Sequence, residues 1–270
     1  MYSGTTLRNS SGRIIGAHQK LDRVARRALE SVAPDSNFPQ IKEILHFEGR
    51  NGPDGIKIKS PARDEPWHYY DPADPEDKRL IEMIERHSKN LTEALKAGST
   101  EKSAFEAAWL AHAIVDGLTP AHHFPLEKKL EELRGEGIET RTSFKDKNII
   151  RGEGDTWRDI LAKNWEFWGA KGVMTTHGMY EFGVATAIAP LRLKAGYPTN
   201  ADCKKIMSEG VVKVFQQAAQ TIYERKMYDR FMQKGWTQRI ARETRELLAP
   251  LLVKTIALAW YESLIKAKGK

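Results

Sequence analysis

Apolar positions recur along the chain at three- and four-residue intervals, while the alternation that marks strands is weak throughout. Leu21, Val24, Ala25 and Leu29 form one apolar stripe and predict a first helix beginning near Ile15. Leu80, Ile84, Leu91 and Leu95 form a second stripe, with Asp74-Pro75 as its opening cap and Gly98 as its end. Ser99 and Thr100 cap a third helix that runs to about Gly117. Further helices are predicted over 126–134, 156–168, 174–189, 201–232 and 237–266, with Pro190 as a stop and Pro250 as a kink. Between the first two helices, from about Ala33 to Asp74, lies a Pro- and Gly-rich stretch without periodicity. Ordered loops of that length in compact domains tend to carry function. No internal repeat or low-complexity linker divides the chain, so the pattern predicts one all-α, multi-helical domain over residues 1–270.

Composition adds three limits. With 40% hydrophobic and 29% charged residues the chain can build a sizeable core and is not of the disordered class. The formal charge is +7, with cations concentrated at Arg225, Lys226, Arg230, Lys234, Arg239, Arg242 and Arg245; this fits peripheral contact with an acidic surface or a solvated basic face. Cys203 is the single cysteine, which excludes an intrachain disulfide and a cysteine-based zinc site. The N-terminus has no apolar leader segment, and the most apolar stretch, Leu247 to Trp260, is short and broken by Pro250 and Lys254. These features predict a soluble, cytoplasmic protein with no transmembrane segment, or a secreted one whose leader was removed.

The third helix carries the first unusual chemistry. Phe105, Ala108, His112, Val115 and Asp116 share one helical face, so His112 and Asp116 are buried one turn apart. A buried His and carboxylate require partners: a mutual hydrogen bond is one solution and a shared metal ion the other. His177 and Glu181 repeat the spacing on another apolar helix. Between these pairs, Asp116-Gly117-Leu118-Thr119-Pro120-Ala121-His122-His123 places His122 or His123 just beyond the helix end, near Asp116. His46 and His87 lack such partners and read as ordinary surface or core residues. The six tryptophans at 109, 157, 165, 168, 236 and 260 fall in predicted helices or at their ends and read as core.

The ordered set resembles the zinc-dependent bacterial phospholipases C and the related fungal single-strand nucleases. Asp54 stands fourteen residues before His68; His112-x-x-x-Asp116 follows; His122 comes six residues after Asp116; His177-x-x-x-Glu181 closes the series. Trp67-His68-Tyr69-Tyr70-Asp71-Pro72 is similar to a run in the phospholipases, and His18 fills the place of a histidine at the start of the first helix. Five of the eight histidines thus fall on motif positions, within a span from Gly16 to about Ala189.

That resemblance implies one all-α fold, a cluster of two or three zinc ions, and hydrolysis of a phosphodiester by metal-activated water. Asp54, His68, His112 and Asp116 would hold one ion; His122, His177 and Glu181 a second; Asp116 with His18 a third. It further gives Asp54 the catalytic role of orienting or deprotonating the attacking water. Trp67, Tyr69 and Tyr70 flank a ligand and are expected to line the substrate cleft. Asp64, Glu65, Asp71 and Asp74 also surround His68 and are alternatives to Asp54, with Asp71 better suited to a turn or cap. The family's chains begin with a Trp whose amino group completes the third site, whereas this chain begins Met1-Tyr2. The third ion is therefore expected to be weakly held, held differently or absent, unless the segment before His18 folds back to bring in the Met1 amine.

Phospholipid is the favoured substrate, on the Trp-His-Tyr-Tyr-Asp-Pro run and Glu181. Single-stranded nucleic acid is the alternative, on the basic charge. A non-catalytic member with a structural metal cluster is a third possibility. A His-Asp phosphohydrolase is set aside because no His-Asp dipeptide occurs, and a serine hydrolase because there is no Gly-x-Ser-x-Gly elbow.

Overall fold

The computed structural model describes Met1 and residues 16–34, 36–59, 66–137, 140, 152 and 154–269. Asp64, Glu65 and the approach to the first helix before Gly16 lie outside the described residues. The described residues are helical, with no strand among them, and pack around one extended apolar core. In chain order the helices are α1 (Ala17–Val32), α2 (Ile41–Ile44), α3 (Pro53–Lys59), α4 (Arg79–Lys96), α5 (Thr100–Gly117), α6 (Leu126–Arg134) and α7 (Trp157–Trp168). There follow α8 (Val173–Ile188), α9 (Asn200–Glu209), α10 (Val211–Tyr223), α11 (Met227–Lys234), α12 (Gln238–Glu243) and α13 (Ala249–Ala267).

α13 is the axis of the molecule and packs against α1, α4, α5, α9 and α10. Its Trp260 is fully buried and donates its indole N–H to the Ala107 carbonyl of α5 at 3.0 Å. Small side chains at Ala104, Ala107, Ala108 and Ala111 let neighbours close on α5 from several sides, and all four are buried. That close approach is why α5, which carries His112 and Asp116, has almost no polar face.

Three boundaries differ from the pattern-based expectation. α4 starts at Arg79 and not at Asp74, because Asp71 and Asp74 accept from the N–H groups of Ala73 and Glu76 in consecutive turns that compete with helix. The predicted helix over 201–232 is three helices. Gly210 breaks it at φ 83° and Lys226 at φ 49°, and Glu262 Oε2 on α13 accepts the Val211 N–H at the restart. Near Pro250 the final helix departs from regular α geometry. One wide π turn over Thr244–Leu248 precedes it and joins α12 to α13. Residues 238–267 are consequently continuous, long and apolar enough to cross a membrane by length and composition, which the stretch Leu247 to Trp260 alone did not suggest. Of the most apolar window, 78% is buried inside the molecule, as befits a core helix.

Candidate metal centre

Six segments deliver the chemistry-bearing side chains to one interior point. α1 brings His18, the start of α3 brings Asp54, the segment before α4 brings His68, α5 brings His112 and Asp116, the short 3-10 turn after α5 brings His122, and α8 brings His177 and Glu181. Asp54 is placed by local backbone packing. A Cβ on Gly55 would lie 2.0 Å from the Arg50 carbonyl oxygen, and one on Gly52 2.6 Å from that of Phe47. Glycine on both sides of Asp54 therefore lets α3 press onto the preceding turn, with Pro53 in its first position.

Asp116 is the hub, with 1% of its surface exposed. Its Oδ2 lies 2.7 Å from His68 Nδ1 and 3.1 Å from His112 Nε2, and its Oδ1 lies 3.3 Å from His18 Nε2 and 3.6 Å from His122 Nδ1. The Met1 ammonium completes the set, 2.5 Å from Asp116 Oδ1, 3.3 Å from Glu181 Oε1 and 3.3 Å from His122 Nε2. The chain start thus does return to the cluster, and an amine stands where Asp116, His122 and Glu181 meet. On the α8 side, Glu181 Oε1 lies 2.8 Å from His122 Nε2 and 3.1 Å from His177 Nε2.

Burial works against every charge here, and mutual proximity works for them. Burial opposes ionisation of Asp116, but the Met1 ammonium, His122, His112 and His18 hold it well below the usual carboxylate range. Glu181 is held low in the same way by Met1 and His177. For Met1 the burial penalty is overcome by Asp116, Glu181 and Asp54, and its amine is pushed up to about 10. His68 goes the other way: burial and then the Lys57 charge lower it to about 3, so it is a neutral ring with a lone pair to offer.

Two buried carboxylates outside the motif series join this set. Glu48, 2% exposed, lies 3.3 Å from His112 Nδ1, behind the ring whose Nε2 faces Asp116 and Asp54. A carboxylate behind a ligating histidine fixes its tautomer and direction. Asp22 follows His18 by one turn, is 1% exposed, and neither of its oxygens has a hydrogen-bond partner among the described residues. Burial and then Glu48 push its carboxyl well above the ordinary value. One turn from His18, Asp22 was visible in the helical spacing; Glu48 is revealed by burial alone.

The donor set fits divalent cations. His18 Nδ1, His68 Nε2 and His177 Nδ1 are buried ring nitrogens without a hydrogen-bond partner among the described residues, and an unpaired buried polar atom is costly. Three groups have ligand atoms mutually within 4.8 Å: His18 with Glu48 and His112; Asp54 with His68 and His112; His122 with His177 and Glu181. All donors are nitrogen or oxygen.

The remaining expected residues separate. His123 turns away, its Nε2 2.8 Å from the Gly117 carbonyl oxygen, while His122 faces the cluster with Nδ1 2.7 Å from the His68 carbonyl oxygen. His87 pairs with Glu106 at 2.6 Å, and His46 is exposed. Tyr69 sits beside the centre, its ring 5.3 Å from that of His122 and 5.3 Å from Lys57 Nζ. Trp67 stacks with the Arg79 guanidinium at 4.6 Å. Tyr70 is buried against Phe215, on the core side of the run. No protein-family model matches the chain. No curated protein matches its sequence.

Proposed function

We propose that this chain is a zinc-dependent phosphoric ester hydrolase of the phospholipase C type, in the all-α fold shared with the single-strand nucleases. One observation carries the reading: eight residues in the family's order come together at one interior point, with ring nitrogens that hydrogen-bond to no described residue and a terminal amine among them. His68, His112, Asp54 and Asp116 would hold one ion, His122, His177 and Glu181 a second, and Met1 with His18 and Asp116 a third. Bound ions supply charge that polarises phosphoryl oxygens and makes water nucleophilic at neutral pH.

The chain's own groups do the rest. Asp54 is the most open ligand, its side chain 24% exposed, and His112, His68 and His18 outweigh burial to keep it ionised. It is therefore able to accept a proton from, and orient, the attacking water. Lys57, one turn further along α3, brings positive charge over Tyr69 at the rim, where a phosphate would enter. Buried aromatic and apolar neighbours exclude bulk water and strengthen each charge interaction. The +7 formal charge supports a second reading, a nuclease acting on single strands with the same centre.

Elemental analysis of the purified chain, paired with hydrolysis of a chromogenic phosphodiester before and after chelation, tests the proposal. Two or more zinc ions per chain with chelator-sensitive turnover are expected. A metal-free chain that folds stably would remove the assignment, and zinc without turnover on any phosphoester would reduce the cluster to a structural role.

A further inference from the structure

The outer surface departs from expectation as sharply as the interior. Of the tryptophans read as core, Trp157 is 66% exposed, Trp165 70% and Trp168 49%. They stand with Leu161 at positions i, i+4, i+8 and i+11 of α7, a helical stripe that points outward, since Phe167 is the buried residue of that helix. On α8, which packs against α7, Met179 is 57% and Phe182 45% exposed. Exposed apolar groups gathered on adjoining elements mark a contact surface, unlike single exposed apolar side chains.

We infer that α7 and α8 form a docking surface for a phospholipid bilayer bearing acidic lipids. Three features select this occupant. Tryptophan combines an apolar body with one N–H donor and prefers the boundary between headgroups and acyl chains. Leu161 and Met179 add aliphatic surface, which inserts into lipid but offers no plane for a nucleic-acid base. The charges of α7 itself balance, but α11 and α12, which also pack on α8, carry exposed Lys234 and Arg242, with exposed Arg239 paired to Glu243 at 3.2 Å. Trp236, between those two helices, lies against Gly183 of α8 and ties the basic edge to the apolar one. Cations beside an apolar strip suit an acidic bilayer, whereas two copies joined by this face would set like charges together.

Met179 and Phe182 lie on the face of α8 opposite His177 and Glu181, and the inner face of α7 joins Tyr69 and Met174 in one small apolar cluster. The docking surface is thus the outer side of two helices whose inner sides adjoin the candidate metal centre. That a bound bilayer would supply phospholipid to the centre rests on the proposed hydrolysis, although membrane binding is measured without it.

Cosedimentation of the full chain with phosphatidylcholine–phosphatidylglycerol vesicles tests the surface, using the Asp54→Asn chain so that the lipid persists. Binding with a blue shift in tryptophan emission is expected, weakening as salt rises. A Trp157→Ser/Trp165→Ser double variant should lose about tenfold or more in vesicle affinity. In the otherwise wild-type chain, the same double variant should keep turnover of a soluble phosphodiester within about twofold, since both side chains are exposed. Absent vesicle binding, equal binding by the double variant, preferential binding of a single-stranded oligonucleotide, or self-association that the double variant abolishes would each overturn the inference. If vesicles bind but no phosphoester is cleaved, the docking surface stands and the hydrolase reading falls.

Discussion

α5 and α7 invert one another. α5 takes a histidine and an aspartate into the interior and surrounds them with alanine, while α7 turns three tryptophans and a leucine toward solvent and buries one phenylalanine. Folding alone disfavours both, because ionised groups lose hydration in the core and apolar groups gain nothing at the surface. Each region also holds its unfavourable groups at regular helical spacing. A departure from the inside–outside rule carries information when it is organised: in α5 around one point, in α7 along one line.

The largest expected effect lies at the buried cluster of α5. Asp116→Asn removes the shared negative charge and leaves the Met1 ammonium and its histidine neighbours uncompensated. A loss of about 3–5 kcal/mol is expected in urea denaturation of the chelated protein, with loss of bound metal in the untreated one. An unchanged unfolding midpoint would show that Asp116 does not hold the cluster together. Glu48→Gln keeps shape and removes the charge behind His112. Metal affinity should fall about 10–100-fold by competitive chelation, and equal affinity would show that Glu48 does not orient the ring.

A surface charge calibrates both. Asp202 caps α9 with Thr199 and meets Lys254 at 3.1 Å, and these contacts outweigh partial burial to hold its carboxyl below the ordinary 3.8. Its contribution is therefore present above that value and lost as pH falls through the lower folded one. Asp202→Asn should cost about 1 kcal/mol at neutral pH, with the gap to wild type closing in acid; a gap that persists there would refute the charge-based account. The smallest effect belongs to α7. Trp165→Ser should change stability by less than about 0.5 kcal/mol in thermal denaturation, and a larger loss would mean the indole packs within the fold.

Much of the helical order was legible in the chain. The bounds of α6, α7 and α8 follow from periodicity and from caps such as Thr156 with Asp159, which are local signals. The candidate ligands were legible for another reason: histidine and carboxylate one turn apart on an apolar helix are conspicuous in any sequence. Three things were not. The break at Lys226 depends on a backbone conformation no residue type demands. Glu48 looks like any other glutamate until the fold places it behind His112. The tryptophans of α7 share the spacing of a core stripe, and periodicity reveals a stripe without saying what covers it.

The arrangement around Asp116 also bears on the order of events in folding. The Met1 amine reaches His122 across 121 positions of sequence, and Glu181 reaches His122 from the other side across 59. Such distant partners meet only after long loops have closed, a step whose entropic cost precedes any gain from the contacts. Helices α4 and α5, neighbours in sequence and in space, are free to pair early. The centre is therefore among the last parts of the molecule to be completed, and in refolding the recovery of metal binding should trail the recovery of helix.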